Sequence, residues 1–318
     1  MSLKFKVLNE LKENRGCFVS GQYLADKFNV SRGAVWKSIK SIRDEGYKIE
    51  SVTNKGYRIV SENDVISEDE IKHYLKEYSN DINIIIYDSV DSTNNMLKRM
   101  FIDGIPNNTL IIADEQTNGK GRFGRSFYSP AKTGLYFSLL IKPEFDTSTA
   151  VLITGVIAVA ICRAIETLAG KHPGIKWIND IYMDNKKIAG ILTEASSGFE
   201  SGKFDYIIIG VGINLSTDNF PDELAEIAGS LNSDISKNRL IGDILYNFYK
   251  IYYSLPDTEY MKEYRKYSIL INHDISYNIE NVTYSGKVIG IDDFGGLIIS
   301  NSNGITTLKS GEVTIIDF

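Results

Sequence analysis

Residues 114–127 read Asp-Glu-Gln-Thr-Asn-Gly-Lys-Gly-Arg-Phe-Gly-Arg-Ser-Phe and follow the apolar run 110–113 directly. Three cations, Lys120, Arg122 and Arg125, lie among three glycines in this stretch. Glycine allows positive φ and lets backbone N–H groups approach a ligand closely. Lysine and arginine donate charge-assisted hydrogen bonds to phosphate or carboxylate groups. The stretch therefore predicts a buried strand that runs into an anion-binding loop.

Two better-known glycine motifs do not explain this loop. Gly119, Gly121 and Gly124 match the dinucleotide fingerprint, but that motif must open a helix, and residues 126–130 have no amphipathic pattern. A P-loop requires Ser or Thr after its Gly-Lys pair, and Gly121 follows here. An ordinary surface loop is the remaining alternative. Three cations within six residues, in a chain of net charge −6, favour the anion site over it.

The composition is that of a globular chain with several domains. At 318 residues, two or three domains are expected. The two cysteines, Cys17 and Cys162, form no CxxC motif, which favours a reducing cytoplasm. The amino terminus lacks the apolar core of a signal peptide. The longest apolar run, residues 150–161 of a helix predicted over 149–168, is too short to span a bilayer, so no membrane partner is expected.

The first 60 residues predict a DNA-binding module. They hold 12 Lys and Arg against 6 Asp and Glu, whereas the remainder of the chain is acidic. Three short amphipathic helices, two of them capped by Ser20 and Ser31, precede a hairpin around the turn 53–56. This order predicts a winged helix-turn-helix over residues 1–62. A protein-interaction module is the alternative, but the basic face favours DNA. The candidate DNA contacts are Ser31, Arg32, Trp36 and Lys37 on the third helix and Lys55 and Arg58 on the wing.

A linker over residues 63–80 leads to an α/β body over residues 81–269. A strand over 82–87 ends in a turn, and its Ser92 or Thr93 caps the next helix. A hairpin turning at 184–186 brings Asn179, Asp180 and Lys187 into one neighbourhood. Short alternating strands over 270–318 predict a small β-barrel.

Three motifs give the chain a specific resemblance. They are GKGRFGR at 119–125, KWINDIY at 176–182 and KKIAGIL at 186–192. In this order, after a winged helix, they resemble the biotin protein ligases, and in particular the bifunctional members that also repress the biotin operon. The resemblance implies an α+β fold: a winged helix-turn-helix, a mixed α/β ligase domain of the class II synthetase and lipoate-ligase type, and an SH3-like barrel.

The resemblance also implies roles for individual residues, with Arg122 and Lys187 as the catalytic pair. The biotin contacts would be Ser92, Thr93, Asn94, Gln116, Lys120, Gly121, Arg122 and Lys187. The contacts to ATP and the adenylate would be Gly119, Arg122, Arg125, Asn179, Asp180 and Asn214, with Asp180 also the candidate magnesium ligand. The chain departs from the family pattern at three positions, having Lys120 for Arg, Phe127 for Trp and Ile178 for Pro.

The implied reaction uses ATP and Mg²⁺ to convert biotin to biotinyl-5′-AMP. The biotinyl group then passes to a lysine of the biotin carboxyl carrier protein. The adenylate would also be the corepressor, which promotes a homodimer on operator DNA. Three alternatives stay open: a ligase whose amino-terminal domain is only structural, a ligand-sensing repressor without catalysis, and a lipoate-type ligase.

Overall fold

A computed structural model describes residues 2–14, 16–60, 65–143, 151–197, 204–279 and 282–316. The described chain divides into two compact units. The first unit contains the residues up to Ser79 together with Ser236–Gly242. The second contains Asn80–Ile235 and the residues from Asp243 onward. Residues 63 and 64 of the predicted linker lie outside the described residues.

The first unit is a winged helix-turn-helix, as the sequence predicts. Its elements are α1 (Leu3–Glu13), α2 (Gly21–Phe28), α3 (Arg32–Asp44), β1 (Ile49–Val52), β2 (Gly56–Ile59) and α4 (Glu68–Leu75). The predicted caps form, because the hydroxyls of Ser20 and Ser31 accept hydrogen bonds from the N–H groups of Gln22 and Ala34. Apolar residues at helical spacing form the core, among them Leu8 and Ile39.

The third helix leaves the predicted DNA-binding side chains in solvent. Ser31, Arg32, Trp36 and Lys37 are all exposed, and 55% of the Trp36 surface is accessible. A tryptophan this exposed contributes little to the core of the module, and it lies on the same helix as the exposed Arg32 and Lys37.

On the wing formed by β1 and β2, Lys55 is exposed, whereas Arg58 already has a partner. Its guanidinium forms an ion pair with Glu50 at 2.5 Å on the neighbouring strand and stacks 4.5 Å from the ring of Phe18. Arg58 would have to leave Glu50, or share its guanidinium, to contact a phosphate.

The second unit contains a seven-stranded sheet with helices packed against it. Its strands are β3 (Asn83–Val90), β4 (Thr109–Gln116), β5 (Gly134–Ile141), β6 (Gly174–Lys176), β7 (Asp180–Met183), β8 (Lys186–Ser197) and β9 (Phe204–Asn214). Its helices are α5 (Thr93–Ile102), α6 (Val151–Ala169), α7 (Asp222–Ala225), α8 (Lys237–Tyr252, whose first residues belong to the first unit) and α9 (Met261–Tyr267). The strand order is β3-β4-β5-β9-β8-β7-β6, and among the strand pairs of the described residues in this sheet only β3 and β4 run parallel.

Helix α6 is the apolar helix predicted over 149–168, and its residues 149 and 150 lie outside the described residues. Its segment Leu152–Ala169 is long and apolar enough to cross a membrane, with mean hydropathy 1.9, but 67% of that segment is buried inside the fold. Helix α6 is therefore buried to the extent expected of a helix in the core of a globular domain. Helix α9 was not predicted from the sequence, because its seven residues are rich in Tyr and Lys and show little apolar periodicity.

The carboxy-terminal part of the second unit is a five-stranded antiparallel sheet. Its strands are β10 (Asp274–Ile279), β11 (Val282–Ile291), β12 (Leu297–Asn301), β13 (Gly304–Leu308) and β14 (Val313–Ile315). They are ordered β13-β12-β11-β10-β14, which confirms that the fold ends in the predicted carboxy-terminal β structure. Residues 280, 281, 317 and 318 lie outside the described residues.

Candidate active site

A row of cross-strand partners gives the seven-stranded sheet one functional face. Lys176 on β6 pairs with Asp180 on β7, which pairs with Gly190 on β8, then Gly212 on β9 and Tyr136 on β5. Directly paired residues place their side chains on the same face of a sheet. The row therefore presents a charged pair, then two glycines without side chains (Gly190 and Gly212, called the glycine floor below), then the aromatic ring of Tyr136.

These two positions of the glycine floor are glycine because the ring of Phe127, from the loop 114–127, packs directly on them. A Cβ atom on Gly212 would come within 2.4 Å of the Phe127 ring, and one on Gly190 within 3.1 Å. The ring also approaches Tyr136 edge-on, with centroids 6.5 Å apart. The loop after β4 thus folds back across the strands, where its cations meet the hairpin residues.

The opposite end of this face is a polar cluster at the start of α5. Ser92 caps the helix through Asn95, while the hydroxyl of Thr93 donates to Gln116 Oε1 at 3.1 Å. Asn94 and Ser138 complete the cluster, with Ser138 Oγ 2.5 Å from Asn94 Oδ1. These side chains are buried or half-buried and offer both donors and acceptors. They can therefore recognise a compact polar ring such as a cyclic urea.

A second glycine of β9 accommodates this cluster. Gly210 lies two residues before Gly212 on the same face of the strand. A Cβ atom on Gly210 would come within 2.2 Å of Asn94 Oδ1. The two glycines therefore leave room for two different groups: the Asn94 amide at one end of the site and the Phe127 ring at the other.

Glu194 on β8 holds the Asn94 amide in place. Its carboxylate accepts a hydrogen bond from Asn94 Nδ2 at 2.8 Å and forms an ion pair with Lys98 at 2.6 Å. Burial raises the pKa of Glu194, but the Lys98 and Asn94 donors outweigh it, and the net pKa lies below its ordinary value. Glu194 therefore stays ionised at neutral pH and fixes which way the amide points.

The three loop cations have different partners. Arg122 donates to Asn179 Oδ1 at 2.9 Å and to the Gly311 carbonyl at 3.2 Å. Arg125 forms a bidentate pair with Glu312 at 2.6 and 2.7 Å. Lys120 donates to Asn95 Oδ1 at 3.0 Å. Arg122 therefore joins the loop to the hairpin, and Arg125 joins it to the carboxy-terminal sheet.

The hairpin supplies the other half of the site. Lys187 Nζ lies 2.7 Å from Asp180 Oδ1, and Asn179 Nδ2 donates to the same carboxylate oxygen at 2.9 Å. The predicted proximity of Asn179, Asp180 and Lys187 is therefore present in the structure. Asn214 lies at the end of β9, and its buried Oδ1 accepts no hydrogen bond from any described residue. The Asn214 Nδ2 group donates to the Gly229 carbonyl at 3.0 Å.

One cavity gathers most of the predicted site residues. Its walls include Ser92, Thr93, Asn94, Gln116, Lys120, Gly121, Arg122, Asn179 and Lys187. Gly119 and Arg125 instead line a neighbouring cleft of 350 Å³ that also contains Glu194. Asp180 and Asn214 line neither space. The predicted biotin contacts thus share one cavity, whereas the predicted nucleotide contacts spread outward from it.

A further cation, Lys176, lies beside this cavity and has no assigned role. Its side chain is half-buried, and its ammonium lies 5.4 Å from the ring centroid of Tyr182. Burial is the main reason why the pKa of Lys176 is lowered, although the charge of Asp180 opposes the shift. Burial also raises the pKa of Tyr182 to about 12, so this tyrosine stays neutral.

Several site residues could not be found by motif reasoning. Ser138 and Glu194 lie inside strands that read as ordinary core, and Glu312 lies almost 190 positions from the loop that it pairs with. The alternation Gly210-Val211-Gly212 in an otherwise apolar strand was an available signal. Glycine inside a strand often marks the close approach of another group.

Comparisons with known proteins agree with this fold and identify its family. Sequence profiles match three parts of the chain: the Biotin/lipoate A/B protein ligase family over residues 86–214, an HTH domain over 4–58 and the Biotin protein ligase C terminal domain over 277–315. The chain is 36% identical over 320 residues to the bifunctional ligase/repressor BirA of Bacillus spizizenii, and the alignment covers 98% of each. It is 35% identical to that of Bacillus subtilis, with 94% of each covered.

A solved structure gives the same result. The biotin protein ligase of Aquifex aeolicus, in complex with biotin and ATP, is similar to this chain with a TM-score of 0.63 and 28% identity. The similarity covers 73% of this chain and 98% of that one. Fold and site together define an acid–amine ligase that carries a DNA-binding module. The chain belongs to the family of bifunctional biotin protein ligases and biotin repressors, which confirms the resemblance seen in the three motifs.

Proposed function

We infer that the protein activates biotin with ATP, transfers it to a lysine of a biotin carboxyl carrier protein, and represses biotin genes. The observation that carries the catalytic part is the cavity that joins the Thr93–Gln116 cluster to Arg122, Asn179 and Lys187. A polar recognition site at one end and cations at the other match a small carboxylic acid that must react with a phosphate.

Activation requires two anions to meet. One oxygen of the biotin carboxylate attacks the α-phosphorus of ATP, the bond from that phosphorus to the bridging oxygen breaks, and pyrophosphate leaves. Arg122 and Lys187, which line the same cavity, would neutralise the carboxylate and the α-phosphate, so that the charge of the transition state meets preorganised donors. In this scheme the chain needs no nucleophile of its own.

Magnesium would be held by Asp180. The described residues contain no group of three or more His, Cys, Asp or Glu side chains that could cage a metal ion. Mg²⁺ in nucleotide sites typically uses one or two carboxylates together with phosphate oxygens, so a single carboxylate beside the triphosphate fits. When bound, the ion neutralises phosphate charge. Lys187, whose ammonium lies 2.7 Å from the Asp180 carboxylate, would neutralise the reacting carboxyl.

Transfer follows while the adenylate is retained. The ε-amine of the carrier lysine attacks the acyl carbon, AMP leaves with the electron pair of the broken C–O bond, and the amine loses a proton. Phe127 and the loop cations cover the adenylate from one side. Exclusion of water from a reactive acyl phosphate suppresses its hydrolysis. Gly119, Gly121 and Arg125 would contact the phosphates, and Asn214 the adenine.

The winged helix-turn-helix would bind operator DNA through α3 and the wing. Winged-helix proteins usually bind paired half-sites, so we propose a homodimer that the adenylate promotes. The exposed basic side chains of α3 support the DNA contact. The cytoplasm is the compartment that fits carrier proteins, DNA and two free thiols.

The first test is mass spectrometry of the purified chain after incubation with biotin and MgATP. We expect release of pyrophosphate together with a retained biotinyl-adenylate, and conversion of that adenylate to AMP and biotinylated carrier when a carrier domain is added. In Arg122→Ala, pyrophosphate release should fall by about 100-fold, because a charge-assisted contact made in the transition state is lost. Arg163→Ala, which removes an arginine on α6 outside the cavity, is the matched control.

Two outcomes would contradict this function. Pyrophosphate release at the wild-type rate in Arg122→Ala would remove that residue from the site. Equal adenylate formation with lipoic acid and with biotin would identify a lipoate-type ligase instead. Parallel reactions with the two acids therefore belong to the same experiment.

A further inference from the structure

Lys176 lies at the outer end of the row of cross-strand partners that forms the site. It is on the edge strand β6, opposite Asp180, so the two side chains lie on one face. Burial lowers the pKa of Lys176 most, whereas Asp180 and Glu312 favour its charged form and Lys187 and Arg125 disfavour it. Among the described residues, none accepts a hydrogen bond from it or forms an ion pair with it.

The neighbouring cations differ in this respect. Lys187 is paired with Asp180, Arg125 with Glu312, and Arg122 donates to Asn179. Lys176 is half-buried near both cations and carboxylates of the site, but among the described residues it has no ion pair, and its ammonium lies 5.4 Å from the ring centroid of Tyr182. A partly desolvated ammonium without an anionic partner costs free energy, and an incoming anion would recover that cost. The unpaired charge therefore points to a ligand.

The position of Lys176 indicates which anion binds there. On β9, Asn94 lies over Gly210 and Phe127 lies over Gly212. Lys187 and Asp180 follow on the next two strands, β8 and β7. Lys176 lies beyond Asp180 and does not line the cavity of the biotin contacts. If biotin binds at the Asn94 end and its carboxylate meets the α-phosphate at Lys187, the β- and γ-phosphates extend toward Asp180 and past it.

We propose that Lys176 binds the pyrophosphate portion of ATP and neutralises it as the leaving group. In the activation step, the bond between the α-phosphorus and the bridging oxygen breaks, and both electrons go to the departing pyrophosphate. An ammonium at the β- and γ-phosphates stabilises the charge that develops there. The proposal rests on the proposed ligase function. It assigns Lys176 to the first half-reaction alone, because biotinyl-adenylate has no β- or γ-phosphate.

Because Lys176 is assigned to the first half-reaction alone, the two half-reactions are measured separately, with the full chain. Lys176→Met keeps the apolar stem beside Tyr182 and removes the charge. We expect biotin-dependent exchange of labelled pyrophosphate into ATP to slow by about 10- to 100-fold, the range for one charge-assisted hydrogen bond. Transfer from preformed biotinyl-adenylate to a carrier domain should stay within about twofold of the wild type. Lys176→Arg should restore part of the exchange rate, because it restores the charge.

The matched control is Lys142→Met. Lys142 is an exposed lysine of the same unit whose ammonium also lies over an aromatic ring, 5.1 Å from Phe101, and outside the site. It should leave both half-reactions unchanged. A wild-type exchange rate in Lys176→Met would overturn the proposal, and so would equal losses in both half-reactions, which would show a structural role. Failure of the wild-type chain to exchange pyrophosphate would instead overturn the ligase function.

Discussion

At the scale of single residues, the site depends on two positions that carry no side chain. Gly210 and Gly212 lie on one face of β9 and lie under the Asn94 amide and the Phe127 ring. Adding a methyl group at either position requires another group to move. The chemistry of the site therefore depends on what these positions lack as much as on the cations above them.

Gly210→Ala should weaken biotin binding. The new Cβ atom would lie 2.2 Å from Asn94 Oδ1, so the amide must shift and lose its hydrogen bonds to Ser138 and Glu194. We expect a loss of about 1.4–2.8 kcal/mol, or roughly 10- to 100-fold in Kd, which isothermal titration calorimetry with biotin measures directly.

Gly290→Ala is the matched control for this substitution. Gly290 is also a strand glycine, and the nearest atom to a Cβ there is Ile298 Cδ1 at 3.9 Å, an ordinary contact. Its biotin affinity should match that of the wild type. An unchanged Kd in a folded Gly210→Ala protein would show that the Asn94 amide does not contribute to biotin binding.

At the scale of elements, α6 illustrates how burial decides chemistry. Cys162 lies on this helix and is fully buried, and burial raises the pKa of its thiol well above the ordinary value. Cys17 lies between α1 and α2 and is exposed. The two thiols therefore differ in their access to solvent and to reagents.

Ellman's reagent should detect one thiol in the native protein and two in guanidinium chloride. Cys17 reacts because it is exposed, whereas Cys162 reacts only when α6 leaves the core. Cys17→Ser should give no reactive thiol in the native state and one after unfolding. Rapid modification of two thiols in the native wild type would contradict the packing of α6 described above.

At the scale of the whole molecule, the charge is divided between two functions. The first 60 residues are basic, and the remaining chain is acidic enough to give the protein a net charge of −6. A basic module concentrates positive potential where DNA binds, whereas the acidic remainder discourages nonspecific association. A substitution on α3 should therefore affect DNA binding without affecting biotin transfer.

Lys37→Gln provides that test. The side chain is exposed on α3, so the fold should be unaffected. Loss of one phosphate contact should weaken binding to the promoter of the chain's own biotin genes and reduce the salt dependence of log K by about 1. Gel shifts over a range of salt concentrations measure both effects, while carrier biotinylation should be unchanged.

Lys6→Gln, an exposed lysine on α1, is the control for nonspecific loss of charge. It should bind the promoter as the wild type does. If Lys37→Gln binds equally well, Lys37 makes no phosphate contact. If no promoter fragment is bound in the presence of biotin and ATP, the winged helix is a structural domain of a dedicated ligase.

The sequence by itself determined the features that depend on residues close together in the chain. The Ser20 and Ser31 caps, the alternating strands and the loop of glycines and cations all depend on residues close together in the chain, so pattern alone predicted them. The hairpin that unites Asp180 and Lys187 was also predictable, because a tight turn fixes which residues face each other.

Only the tertiary structure decided which distant groups share the site. Glu194 and Ser138 reach Asn94 across separate strands, and Arg125 finds Glu312 almost 190 residues away. The register of the seven-stranded sheet, which no local signal specifies, puts Lys176 in line with the glycine floor. Side-chain partners across a sheet depend on strand order and register, and these are set by packing of the whole core.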